Sequence, residues 1–430
     1  MINNSKKDII YTFPFCFLLL ELVIGMYLND IFPAVFSYSD EILAILLLLW
    51  TVKYAVLQKR EPFSKETILF GGIAIFYLLY SVYIRSNVIP AIFGDFLIQL
   101  KPFIGYFMFG YIAFKLNGTQ KQILKRVCLL LFVVAAGVAI IGIAGGNMLS
   151  TFYKVFGHAT RYGTSLILIA LTYLLCSDLK DKKAIIVFIV ILSFSLLSMR
   201  AKVYGFYIVA MFLVFILRGN IEIKFSIKNV IIFSLIIIIA LYVARDKVVY
   251  YFLDYNVDDE HSLARPLLYL TAWQILLDYF PFGSGLASFA THYSGVYYSK
   301  IYTDYNLDGV WGLLEIEPMF VADTQYPSIA QFGIVGLLLL SVFWIRIILK
   351  ANRFKKVSSD NNKNYLIIVL MLMFLAIESI GDAVFTGNRG FYTMILLSLC
   401  FSNFGESIIS STNKHSSLKK YENTDNISKS

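Results

Sequence analysis

Arg200 and Lys202 occupy the short stretch SMRAKVYG between two long apolar runs. His158 and Arg161 stand at the start of another such run, and Arg389 at the start of the last. Lys101 comes just before Pro102, and Arg265 opens a Trp-containing segment. Ionisable groups within or at the rim of apolar spans are costly to desolvate, so each is a functional candidate. Several guanidinium and ammonium groups on one face of a sparsely charged body suit a diphosphate. The planar guanidinium fork grips phosphate oxygens in pairs and keeps its charge when partly buried. For each of these residues the competing reading is a long side chain whose head reaches lipid headgroups or a nearby carboxylate.

Other chemistries find less support. Asp258, Asp259, Glu260 and His261 form a polar run, but no second ligand group has metal spacing, so a solvated loop is the simpler reading and no metal is expected. His158 and His292 are candidates to line a site, whereas His415 falls in the C-terminal tail. No P-loop, GxGxxG fingerprint or GxSxG elbow occurs. Cys16, Cys128, Cys176 and Cys400 all lie in apolar runs, which argues for buried thiols and against a disulfide framework.

The elements that must position these groups are transmembrane helices. Apolar residues make up 58% of the chain and charged residues only 15%, too few to solvate a globule of 430 residues. Apolar spans are read at 9–28, 41–58, 67–84, 100–116, 124–145, 161–177, 183–199, 203–218, 228–244, 327–349, 364–381 and 389–405. The stretch 90–100 is read as an interfacial lead-in to the fourth span. The expected fold is an all-α polytopic membrane protein of about twelve transmembrane helices. Residues 1–244 would hold the first nine helices, 245–326 one large extracytoplasmic loop, 327–405 the last three helices, and 406–430 a disordered cytoplasmic tail. With the N-terminus inside, 26 of the 37 basic residues fall in cytoplasmic segments, so the net charge of +9 orients a membrane protein and does not mark nucleic-acid binding.

The long loop carries eleven acidic and four basic residues. It is dense in aromatics, among them Tyr269, Trp273 and Tyr293, whose rings suit the apolar faces of sugars. Packing of those rings onto the membrane surface is the plainer alternative. Leu263, Leu267, Leu270, Trp273, Leu277 and Phe280 recur at helical spacing, which predicts an amphipathic helix along the outer membrane face, ending at Pro281.

The run ARPLLYLTAWQILLDYFPFGSGLASFATHYSGVYYS (264–299), followed by VADTQYPSIAQFGIVGLLLL (321–340), resembles the bacterial O-antigen ligase and O-antigen/exopolysaccharide polymerase superfamily. Arg265, Trp273, Pro281, Phe282, Gly283, Gly285, Asp323, Gly333 and Gly336 match its signature in order. SMRAK (198–202) resembles the family's Ser-Arg-rich turn. The sharp motifs lie within 198–340. The ligase branch has His-Asn where this chain reads Asp323-Thr324, which favours the polymerase branch, particularly capsular or exopolysaccharide polymerases.

The resemblance implies a C-type glycosyltransferase fold that uses undecaprenyl-diphosphate-linked glycans, with no cofactor or metal, in the bacterial cytoplasmic (inner) membrane. Both termini would be cytoplasmic. Arg200 and Arg265 would hold the departing diphosphate, helped by Lys202 and Arg161, and Asp323 would deprotonate or orient the acceptor hydroxyl. Helix capping is the other role open to Asp323. His158, Tyr269, Trp273 and Tyr293 would line the substrate site. The implied partners are the lipid-linked glycan, membrane lipid, a chain-length regulator and a flippase. An O-antigen ligase-type transferase and a lipid-linked oligosaccharide flippase or transporter are the alternatives.

Overall fold

Lipid offers no hydrogen-bond partner to a backbone, so apolar runs must satisfy their own N–H and C=O groups within helices. The computed structural model describes residues 38–57, 64–112, 116–179, 181–218, 264–355 and 362–402, with positions 16, 19, 20 and 23. These residues form helices and turns, with no strand among them. The helices are α1 (Ser39–Leu57), α2 (Lys65–Ile84), α3 (Ile89–Ile112), α4 (Gly118–Ala144), α5 (Met148–Phe156), α6 (Ala159–Cys176), α7 (Lys182–Ser195) and α8 (Ala201–Arg218). They continue with α9 (Ala264–Asp278), α10 (His292–Val296), α11 (Lys300–Asp304), α12 (Gly333–Lys355), α13 (Asn362–Glu378) and α14 (388–402). Apart from those four positions, the span read at 9–28 lies outside the described residues, as do the span at 228–244, the polar run 258–261 and the tail 406–430.

Five stretches among the described residues are long and apolar enough to cross a membrane: Lys65–Ile84, Ile89–Ile112, Gly118–Ala144, Ala159–Cys176 and Pro327–Arg353. α6 is the axis of the bundle. It is buried along nearly its whole length and packs against α4, α5, α7 and α13. α2 and α12, by contrast, have most of their apolar surface uncovered by the described residues, as suits helices that face lipid.

Two local readings change. The stretch 90–100 is the first half of α3, with Pro102 inside the helix. Proline removes one backbone donor, and the packing around a buried membrane helix tolerates that loss. α5 was not anticipated: this nine-residue helix is capped by Asn147 and buries Phe152 and Phe156. Phe152 stacks on Tyr162 at 4.0 Å, so α5 braces the start of α6.

The loop between α8 and α12 has a core of its own, formed by Leu268, Ile275, Phe289, Tyr302 and Leu313 with their neighbours. Polar staples seat it on the turn between α2 and α3. Asn87 Nδ2 donates to Ala287 O (2.7 Å) and Tyr297 O (2.9 Å), and Ser86 Oγ donates to Leu286 O (2.7 Å). The glycines of PFGSG explain themselves here. Gly283 has φ +82° and Gly333 φ +62°, and a Cβ on either would strike the other's backbone within 2.3 Å. The loop turn and the start of α12 are therefore pressed backbone to backbone.

Candidate functional site

Five helix ends meet at one end of the bundle. The start of α6 carries His158, Arg161 and Thr164, and the start of α8 carries Arg200 and Lys202. The end of α13 and the turn after it carry Glu378 and Asp382, and α14 opens with Arg389. α9 brings Arg265 and Tyr269. Helix N-termini add partial positive charge to the cationic side chains.

The loop is fastened to that end. Tyr269 Oη donates to Ile380 O (2.9 Å), Gln325 N to Ser379 O (3.1 Å) and Tyr326 Oη to Ala376 O (2.8 Å). These bonds set the Arg265–Asp323 pair beside the 378–382 turn. Arg265 Nε donates to Asp323 Oδ2 at 2.7 Å, Arg265 Nη2 contacts the same oxygen, and the guanidinium lies 5.7 Å from the Phe320 ring centroid. Burial lifts the Asp323 carboxyl above its ordinary pKa, opposed by Arg265, and both Lys202 and Asp382 are close enough to act on it.

Across the site, Lys202 Nζ pairs with Glu378 Oε2 (2.7 Å), donates to Gly381 O (3.3 Å) and stands 3.5 Å from Asp382 Oδ2. Arg389 donates from Nη2 to Asp382 Oδ2 (3.2 Å) and from Nη1 to Thr164 Oγ1 (2.9 Å). Burial works to raise the Asp382 carboxyl, but Arg389 and Lys202 overcome it and hold it below the usual carboxylate range. Among the described residues of this group, five cations (Arg161, Arg200, Lys202, Arg265 and Arg389) face three carboxylates (Asp323, Glu378 and Asp382).

Arg161 and Arg200 stand beside His158. Arg161 folds back over Gly157, where a Cβ would stand 2.8 Å from its Nη1. Arg200 Nη2 donates to Tyr153 Oη (3.0 Å) and lies 3.3 Å from His158 Nε2. His158 also caps α6, its Nδ1 accepting from Thr160 N at 3.2 Å. Burial, then Arg200 and Arg161, push the imidazole pKa down to about 4, against the pull of Asp382. A neutral imidazole has one acceptor nitrogen. With Nδ1 accepting, Nε2 carries the proton and meets the Arg200 guanidinium donor to donor. An anionic oxygen seated beside the pair would accept from both.

The structure thus brings together Arg200, Arg265, Asp323, Lys202, Arg161, His158 and Tyr269. It does not bring Trp273 and Tyr293 to them. Trp273 is 63% exposed in a row with Leu270 and Leu277 on the outward face of α9, continued by Phe280 just beyond the helix. The opposite face, with Leu268 and Ile275, fills the loop core, so the helix is apolar on both sides. Tyr293 lies against Gly94 of α3 and stacks with Tyr297 at 6.4 Å. Neither has a described contact with the cationic group.

Three further tyrosines of the loop are engaged within it, while Tyr250, Tyr251 and Tyr255 lie outside the described residues. Tyr302 is fully buried and bonded to Ala290 N and Ser294 Oγ, Tyr298 donates to Leu313 O, and Tyr305 donates to Asp278. These hydroxyls hold the loop together. Lys101 also leaves the set: it is 3% exposed and paired with Asp40 and Glu41 at the start of α1.

Sequence reasoning missed Tyr153, Thr164 and Asp382. Asp382 had a signal, since Glu378 and Asp382 sit one helical turn apart shortly before Arg389 in an otherwise apolar stretch. Tyr153 and Thr164 had none that residue type alone could give. No protein-family model matches the chain, nor does any curated protein or solved structure.

Proposed function

We propose that this chain is a glycosyltransferase that polymerises undecaprenyl-diphosphate-linked oligosaccharide repeat units, within a bundle of about twelve spans, on the outer face of the bacterial cytoplasmic membrane. The family resemblance of 198–340 suggests the reaction. The observation that carries it is the gathering of five cations, Arg161, Arg200, Lys202, Arg265 and Arg389, around Asp323 and Asp382 at one end of the bundle. Arg200 and Arg265 come from motifs far apart in sequence, and a lipid-facing rim charge would have no reason to find this company.

In the proposed reaction an acceptor hydroxyl attacks the anomeric carbon of the lipid-linked chain. The sugar–phosphate C–O bond breaks, and undecaprenyl diphosphate leaves with the bonding pair. Negative charge grows on the departing phosphate, and preorganised cations stabilise it without having to reorient. Arg200 and the neighbouring Nε2–H of His158 supply donors to that charge. Asp323 receives the hydroxyl proton. Both bonds from Arg265 to Asp323 use Oδ2, so Oδ1 is the oxygen assigned to the acceptor, and a raised carboxyl pKa improves a general base. Lys202 is a poor probe of this reading, because its removal strands Glu378, which is fully buried.

The test is elongation of a defined undecaprenyl-diphosphate-linked repeat by the purified protein in liposomes. Arg200→Ala and Arg265→Ala should each slow polymer formation about 100-fold or more, while single repeat units accumulate. In cells the same variants should still display one repeat unit outside, whereas loss of a flippase would display none. Full-length polymer from both variants would remove the cationic site from the mechanism.

A further inference from the structure

A second feature lies in the membrane-facing body, independent of the reading above. A cavity of about 1180 Å³ runs between α2, α3, α12 and α13. It follows α12 from Gly336 to Arg353, about 25 Å along the helix, most of the thickness of a bilayer's hydrocarbon core. Its wall is a continuous run of rings: Phe70 against Phe103 (4.6 Å) and Phe103 against Phe343 (5.2 Å).

The two ends differ in charge. Near the loop the polar lining is neutral, with Gln99, Gln325, Ser328 and Ser379. At the far end Arg346, Lys350 and Arg353 line one side, at the i, i+4 and i+7 positions of a single helical face, opposite Glu66. These are the only charged residues lining it among those described. The three basic groups make no ion pair with a described residue, and Lys350 rests over the Phe401 ring at 4.6 Å. The arrangement is therefore an apolar slot with a net-cationic rim at the end remote from Arg200. The loop charges assign that end to the cytoplasmic side.

We propose that this cavity binds an anionic phospholipid of the inner leaflet. Its phosphate lies on Arg346, Lys350 and Arg353, and its acyl chains run along Phe70, Phe103 and Phe343. Basic pockets between transmembrane helices on the cytoplasmic side suit such headgroups. A lipid whose phosphate sits on the outer face would leave these three cations unmatched, so the charge selects both the lipid class and its leaflet.

Trp344 lines the same cavity and gives a direct readout. Full-length protein with Trp50, Trp273 and Trp311 changed to Phe is reconstituted in phosphatidylcholine nanodiscs containing brominated lipid. Brominated phosphatidylglycerol should quench Trp344 at a mole fraction about tenfold below that needed by brominated phosphatidylcholine. The R346Q/K350Q/R353Q variant should abolish the preference, and R346K/R353K should keep it. Ala74→Phe, which fills the slot and leaves every charge in place, should weaken quenching by both lipids. Equal quenching by the two lipids in the parent protein overturns the proposal. So does an unchanged preference in the neutralised variant, or displacement of the phospholipid by a neutral polyprenol.

Discussion

At the scale of residues, the site is a balance of desolvated charges that no single side chain could survive alone. Glu378 is fully buried and tolerable only because Lys202 meets it at 2.7 Å. Breaking such a pair from one side costs about 3–5 kcal/mol. His158 solves the opposite problem by staying neutral. Its pKa falls from 6.5 to about 4 in the folded protein, first through burial and then through Arg200 and Arg161. Between those two values the unfolded chain takes up a proton that the folded chain refuses, so folded stability falls as pH drops through that window. The thermal midpoint in detergent should therefore decline on acidification from about pH 6.5 towards 4. His158→Asn keeps a good cap for α6 and should flatten that slope.

At the scale of elements, the loop is positioned by close backbone contact as well as by side-chain hydrogen bonds. Gly283 and Gly333 each adopt a positive φ with the other's backbone where a Cβ would go. Gly72, inside α2, has open space around its missing Cβ. The two substitutions should then have opposite signs. Gly283→Ala should destabilise by about 1–3 kcal/mol from backbone strain alone, before the clash is counted. Gly72→Ala should stabilise by up to about 1 kcal/mol through helix propensity. Chemical denaturation of the two variants measures both. Because Arg265 and Asp323 ride on this loop, Gly283→Ala should also cost activity without touching the cationic group.

At the scale of the whole molecule, the functional reading requires the cationic end to face outward. The ends of α6, α8, α13 and α14 that meet there are the ones the charge distribution places outside. A variant lacking Cys16, Cys128, Cys176 and Cys400 but carrying Asp308→Cys should react with a membrane-impermeant maleimide in intact cells. The same background with Gln122→Cys, at the start of α4, should react only after permeabilisation. The reverse pattern would turn the site towards the cytoplasm, where no exported glycan is polymerised.

What residue types and spacing determined by themselves is the helical, membrane-spanning character and the identity of most of the cationic set. Both follow from local terms: apolar runs must become helices in lipid, and a charge at the rim of such a run is conspicuous wherever it ends up. The helix predicted over 263–280 appears as α9 at 264–278 for the same reason. Which face of that helix is inward, and which aromatics are free, depends on contacts between segments remote in sequence. Periodicity counts apolar positions without saying which of them protein covers, and α9 has one apolar face buried in the loop core and another exposed. The same holds for Lys101, which looks like a rim cation until α1 brings Asp40 and Glu41 to it. Pairing was likewise a tertiary decision for Arg265 with Asp323 and for Lys202 with Glu378. Electrostatic partners are chosen by distance in space, and only packing sets that distance.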